Sequence, residues 1–414
     1  NEKVANIVSR WPLLDKKVLN ESDVSGREIA SVRGFDQLPT GKGYAVVSYR
    51  EKDQSGWIGV AVEGSFIALN RTIKAAKIAK GRPWPIMVIF ILITAVCSGM
   101  LDNVTTVLLV GPMTLAITNI LKVDPVPYII TQIMASNIGG TATLIGDPPN
   151  IMIGSAAKLS FVDFILNTGV ATVFVIIVGL ICMYFIYGRK LFVTDESIAK
   201  VMQLDENKAI KDRKLMHESV IVIILVALCF IFHDQLGVQS CTVAIAAACI
   251  MLLIGGQEPE EIIADVEWPT ILFFIGLFIV VGGMKKVGVI TMLANGLISI
   301  THGNMVVTMM VILWVSAIVS SFLDNIPFVA TLIPMILTMQ SEGMDVTPIW
   351  WALSLGACLG GNGTLIGASA NVVLSGISKN NGHPITFGQY FKIGFPMMIL
   401  SIIVCSVFLL IRFA

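Results

Sequence analysis

The sequence predicts an all-α polytopic membrane protein built on an inverted repeat, with two re-entrant hairpins and two broken helices, preceded by a small mixed α/β polar segment. Three observations carry this expectation. The 414 residues are 55% hydrophobic and only 14% charged, with a mean hydropathy of +0.82, whereas an ordinary soluble domain is roughly 25% charged. Charge is also lopsided, since residues 1–82 hold 23 of the 56 Asp, Glu, Lys and Arg. Finally, the apolar part contains one unusual pattern twice.

The division follows in chain order. Residues 1–72 form a polar segment of unassigned role, where the alternation in "YAVVSY" and "WIGVAVEGSFIAL" predicts short strands. The first residues are charged and lack an apolar stretch, so no cleavable signal peptide is expected. Gly41-Lys42-Gly43 lacks both the Ser or Thr after the lysine and the earlier glycine of a phosphate loop. Residues 73–188 make the first repeat, 189–216 a charged loop, and 217–414 the second repeat. The loop carries seven Lys or Arg and is expected on the cytoplasmic side. "IKAAKIAKGRPW" (73–84) is expected there too, with Lys74, Lys77 and Lys80 spaced like a surface helix.

From residue 83 onward, apolar runs of spanning or half-spanning length follow one another, near 84–100, 104–121, 127–137, 150–157, 168–188, 219–233, 238–255, 268–284, 305–322, 326–340, 347–359, 364–378 and 393–413. Those of 8 to 15 residues are too short to cross alone. Joined by Gly, Pro, Asn and Thr, they read as broken or re-entrant helices.

The repeat is explicit. "ITAVCSGMLDNVTTVLLVGPMTLAI" (93–117) aligns with "VSAIVSSFLDNIPFVATLIPMILTM" (315–339), and "GGTATLIGDPPNIMIGS" (139–155) with "GGNGTLIGASANVVLSG" (360–376). The expected number of intervening crossings makes the halves antiparallel, the plan of many secondary transporters.

Unwound backbone in lipid costs several kcal/mol per unsatisfied group, so each break must be satisfied by an ion, a solute or buried protein. Asp102 and Asp324 fall at the hairpin tips, where a carboxylate is costly unless paired or protonated. Asp147 is a third intramembrane acid, and its repeat partner is Ala368. The candidate substrate- and ion-binding residues are therefore Asp102, Asn103, Thr105, Thr106, Thr141, Thr143, Asp147, Asn150, Asp324, Asn325, Asn362, Thr364 and Asn371. A coupling sodium ion, the one cofactor considered, would draw oxygens from Asn103, Thr143, Asn325 and Thr364. Two plainer readings stand beside this one. The Asp-Asn pairs could only cap the helices that follow, and the Thr and Asn residues could only join helices by hydrogen bonds. The seven cysteines fall in apolar stretches and read as small buried hydrophobes, with Cys358 a weaker candidate for a thiophilic solute. Zero net charge argues against nucleic acid as a partner, and no nucleophile–base pair, nucleotide loop or metal cluster points to an enzyme.

These motifs resemble the ion transporter superfamily, within it the branch of arsenite efflux permeases, NhaD-type sodium/proton antiporters and the melanosomal P protein, with a citrate transporter-like domain. The carrying stretches are "IKAAKIAKGRPW", "LDNVTTVLLVGPMTL", "NIGGTATLIGDPPN", "VEWPTILFFIGLFIVVG", "LDNIPFVATLIP" and "ACLGGNGTLIGASANVV", together covering about residues 73–414. The resemblance implies a multi-pass protein of the cell (inner) membrane, with a scaffold and a mobile transport domain working as an elevator. It implies transport of a small ion or oxyanion, arsenite or antimonite efflux or sodium/proton antiport first, driven by a proton or sodium gradient. The expected partners are the lipid bilayer, the solute, a second copy in a homodimer and, for an arsenite pump, a cytoplasmic ATPase subunit. One departure matters: "SYREKDQSGWIGVAVEGSFIALNRT" stands where the first half should have its lead-in helix, and it is too glycine-rich to span. This raises two alternatives, a truncated non-transporting paralogue with a binding role and a chloride-type anion channel.

Overall fold

The computed structural model describes residues 28–32, 47–51, 54–58, 82–191, 213–231, 240–255 and 286–414, with a few positions between. The chain divides into two compact units, one of residues 1–74 and 204–216, the other of 75–203 and 217–414. In the first, β1 (Glu28–Val32), β2 (Val47–Glu51) and β3 (Gln54–Ile58) form an antiparallel sheet in sequence order, with an irregularity between Ile29 and Ser31. β2 overlaps the first alternating run at residues 47–49, and β3 meets the second only at Trp57 and Ile58. The rest of the second run, most of the 73–84 basic stretch, most of the 189–216 segment and most of the 268–284 apolar run lie outside the described residues.

The second unit is helical. Its first series is α1 (Pro83–Met100), α2 (Asn103–Leu121), α3 (Val126–Thr141), α4 (Pro148–Ala157) and α5, the last built from Phe161–Phe164, a π-helical turn Ile165–Gly169 and Val170–Ile186. Then come α6 (Arg213–Ile231), α7 (Ser240–Gly255) and α8 (Val289–Ile300). A second series follows as α9 (Met305–Phe322), α10 (Asn325–Ser341), α11 (Thr347–Gly360), α12 (Ser369–Asn380) and α13 (Phe387–Phe413). The two series match element for element. Among the described residues, five helical stretches are long and apolar enough to cross a membrane: Pro83–Met100, Asn103–Leu121, Phe161–Lys190, Met305–Phe322 and Phe387–Phe413.

Local chemistry sets the boundaries. Asp102 and Asp324 occupy the N-caps of α2 and α10, so each hairpin turns within three residues. Pro112 and Pro334 sit inside these arms at equivalent places, and each withholds an amide from the turn before it. The breaks are non-helical at residues 142–147 and 364–368. The second is longer than the apolar run implied, because α12 starts only at Ser369.

Burial shows which elements are central. From Tyr128 to Thr141 every residue of α3 is buried, as is every residue of α11 from Pro348 to Gly360. A helix apolar and buried all round belongs at the centre of a bundle. Each lies directly on its own hairpin arm. A Cβ on Gly139 would collide with the backbone of Ala95 in α1, and a Cβ on Gly360 with the backbone of Ala317 in α9. Small residues of this kind let membrane helices approach backbone to backbone. The expectation of uniformly buried cysteines needs correction. Cys358 and Cys405 are buried, but Cys97, Cys182 and Cys229 are half-buried and Cys249 is exposed, because their helices turn those faces outward.

Candidate functional site: two helix breaks meeting at one carboxylate

The hairpin tips are tied to the breaks by repeated hydrogen bonds. In the first half Ser98 Oγ donates to Ser136 O at 2.8 Å, and Thr143 Oγ1 donates to Gly99 O at 2.5 Å. In the second, Ser320 Oγ donates to Ala357 O at 2.6 Å, and Thr364 Oγ1 donates to Ser321 O. The threonine hydroxyls also accept, Thr143 from Gly146 N and Thr364 from Ile366 N. Each threonine therefore lies just beyond the end of its α-helix, holds the first turn of the break and anchors the hairpin.

The asparagines one turn into α4 and α12 close the breaks from the other side. Asn150 Nδ2 donates to the carbonyls of Gly140 (3.3 Å), Thr141 (3.3 Å) and Thr143 (2.9 Å). Asn371 Nδ2 donates to Gly361 O (2.7 Å) and Thr364 O (2.8 Å). Their carbonyl oxygens face the opposite repeat. Asn150 Oδ1 accepts from Ser354 Oγ (2.6 Å) and Cys358 Sγ (3.4 Å), and Asn371 Oδ1 accepts from Asn137 Nδ2 (2.8 Å), which also donates to Asn362 Oδ1 (3.0 Å). The two broken helices are thus laced together through α3 and α11.

The acids divide into two kinds. Asp102 accepts from the amides of Val104 (3.0 Å) and Thr105 (3.2 Å), and Asp324 accepts from the amide of Ile326 (3.0 Å) and from Ser369 Oγ (3.3 Å). Both cap helices, each carboxylate accepting amide hydrogens that have no partner inside the helix. Asp147 stands at the N-cap of α4 but makes no capping bond. Its carboxylate is 1% exposed and turns instead to both tips: Asn103 Nδ2 donates to Oδ1 at 3.4 Å, and Asn325 Nδ2 lies 3.4 Å from each oxygen. The Cys358 thiol, which donates to Asn150 Oδ1, lies close to this carboxylate. Equivalent asparagines from the two repeats therefore converge on one acid. With Ser369 bonded to Asp324, the N-termini of α2, α4, α10 and α12 share one neighbourhood, a concentration of amide dipoles that suits negative charge.

Of the residues singled out in the sequence, Asn103, Asp147, Asn150, Asn325, Asn362, Thr364 and Asn371 are buried in this network, and Thr143 is half-buried in it. Thr141 is buried and donates to Asn137 O within α3. Thr106 is buried with no hydrogen-bond partner for its hydroxyl among the described residues. Thr105 is exposed, and its amide, not its side chain, takes part. The sequence reading missed Asn137, Ser98, Ser136, Ser320 and Ser354. The spacing of the breaks held the signal for Asn137, since it puts Asn137 in register with Cys358. No Lys or Arg takes part in the hydrogen bonds described around the breaks.

Comparison with known proteins places this arrangement in context. The sequence profile of a family described as citrate transporter matches residues 58–356. An uncharacterized transporter of Mycobacterium bovis is 42% identical over 345 residues, which are 82% of this chain and 80% of the relative. A 46 kDa membrane protein of Mycobacterium leprae is 39% identical over 344 residues, with the same coverage. The P protein of Sus scrofa is 33% identical over 423 aligned positions, 82% of this chain but 50% of that protein.

Proposed function

Because the chain belongs to the citrate transporter family, we propose that it is a secondary active transporter whose solute binds between the two helix breaks and is carried by alternating access. Membership makes it a multi-pass membrane protein of a transporter family. The finer reading is our own: a small ion or oxyanion, arsenite or antimonite before others, moved against its gradient at the expense of protons or sodium, in the cell (inner) membrane, by an inverted repeat acting as an elevator and paired as a homodimer.

One observation supports this best, the sharing of Asp147 by Asn103 and Asn325. A packing contact between helices gains nothing from a buried carboxylate, which is costly at membrane depth and for that reason marks a functional position. The surroundings also bear on the solute. Citrate, for which the family is named, carries several carboxylates that arginine binds best. The described groups are amides, hydroxyls, a thiol and acids. They suit a small hydroxylated solute better than a free tricarboxylate.

Reconstituted vesicles decide the matter. Arsenite, citrate and sodium uptake are each measured under an imposed proton or sodium gradient, with wild type and Asp147→Asn. Gradient-driven flux of one solute, at least tenfold weaker in the variant, is the expected result. Absence of gradient-driven flux for all three contradicts the reading. Current that follows voltage with no gradient coupling would indicate the channel, and flux restored only with a full-length homologue the non-transporting paralogue.

A further inference from the structure

We infer that the side-chain amides of Asn150 and Asn371 occupy the places that coupling cations would otherwise take, so that the two breaks are held open by built-in donors and need no sodium ion. An unwound helix leaves inward-facing carbonyls, and these need hydrogen-bond donors or a cation. Here the demand is already met. The Asn150 amide spans the carbonyls of Gly140, Thr141 and Thr143, and the Asn371 amide those of Gly361 and Thr364. Each asparagine is fully buried.

The oxygens expected to bind sodium fit that ion poorly. A hard cation needs several oxygen ligands with free lone pairs. The Thr143 and Thr364 hydroxyls donate to the tip carbonyls of Gly99 and Ser321 and accept from amides within the break. Asn103 and Asn325 present amide hydrogens, not oxygens, to Asp147. A cation beside either break would find the threonine hydroxyls already committed and the freed carbonyls already taken by the Asn150 and Asn371 amides. The amide also does what a bound ion could not. Its oxygen accepts from the other repeat, Asn150 from Ser354 and Cys358, Asn371 from Asn137. One side chain therefore closes its own break and fastens it to its counterpart.

This inference goes beyond the transport reading and has its own readout. Purified full-length protein in detergent is unfolded thermally in sodium, potassium or N-methylglucamine chloride at equal ionic strength. The unaltered chain should show one midpoint in all three. Asn150→Asp replaces the donor with a carboxylate facing three carbonyls, an arrangement that repels itself until a cation enters. Its midpoint should fall in N-methylglucamine and recover in sodium, while that of Asn150→Ala falls without recovery. Asn371→Asp repeats the test should Asn150→Asp yield no folded protein. A sodium-specific rise in the midpoint of the unaltered chain overturns the inference by itself, as does an aspartate variant that folds and ignores sodium. If neither aspartate variant folds, the unaltered chain alone decides. A failed flux experiment leaves this result standing, and the reverse holds too.

Discussion

At the scale of single residues, an acid's neighbours matter more than its place in the sequence. Asp102, Asp147 and Asp324 look alike as intramembrane acids, yet two cap helices and the third is held by asparagines from both repeats. Asp102→Ala should therefore act through the start of α2, lowering stability by about 1 kcal/mol, the usual worth of an N-cap. Asp147→Asn keeps the size and removes the charge, so its thermal midpoint should stay near wild type or rise while gradient-driven flux falls. A stability loss larger than that of Asp102→Ala would count against this assignment. Asn150→Ala leaves three buried carbonyls without their donor and should cost about 1–3 kcal/mol, read from thermal unfolding. The acids were legible in the sequence because charge in an apolar run stands out. Asn137, Ser136 and Ser354 were not, because polar side chains within a continuous helix commonly bond their own backbone.

At the scale of elements, the breaks are set by three side-chain roles that recur in each half. A glycine in α3 or α11 lets the hairpin lie against it, a threonine just past the helix end ties the break to the hairpin tip, and an asparagine in the first turn of the next helix gathers the freed carbonyls. Gly139→Val and Gly360→Val should each destabilise by about 1–3 kcal/mol through overpacking, because the obstruction is backbone of Ala95 or Ala317 and cannot swing aside. Thermal unfolding of the two variants checks this, and a tolerated valine at either position would contradict the packing described. Much of this was legible beforehand, since glycine, proline and asparagine inside an apolar run have little reason to be there except to unwind it. The start of α12 was not. Leu365, Ile366 and Gly367 look as apolar as a helix, and only the non-helical backbone of residues 364–368 shows where the break ends.

At the scale of the whole molecule, the two repeats are joined into one network by exchanging hydrogen bonds. Asn137 reaches Asn371 and Asn362, and Cys358 with Ser354 reaches Asn150, so either half loses partners if the other is withdrawn. The symmetry breaks at two related pairs of positions. Asp147 and Asn137 stand in the first half where Ala368 and Cys358 stand in the second, and among the described residues that leaves one buried acid between the two hairpin tips. Pairwise coupling follows: Asn137→Ala and Asn371→Ala together should cost less than the sum of the two, by about 0.5–3 kcal/mol. The internal repeat was visible in the sequence as two aligned stretches. Which residues cross between the copies was not, because alignment reveals equivalence and says nothing of contact.

The most direct test of a single site built from both repeats is a double-mutant cycle on transport. Flux of whichever solute the reconstituted protein carries is measured for Asn103→Ala, Asn325→Ala and the pair. If both asparagines serve one carboxylate, each variant loses roughly tenfold and the pair loses little more, since residues that act as a unit are non-additive. Losses that multiply in the pair, or a loss confined to one repeat, would show that the two breaks do not form a common site.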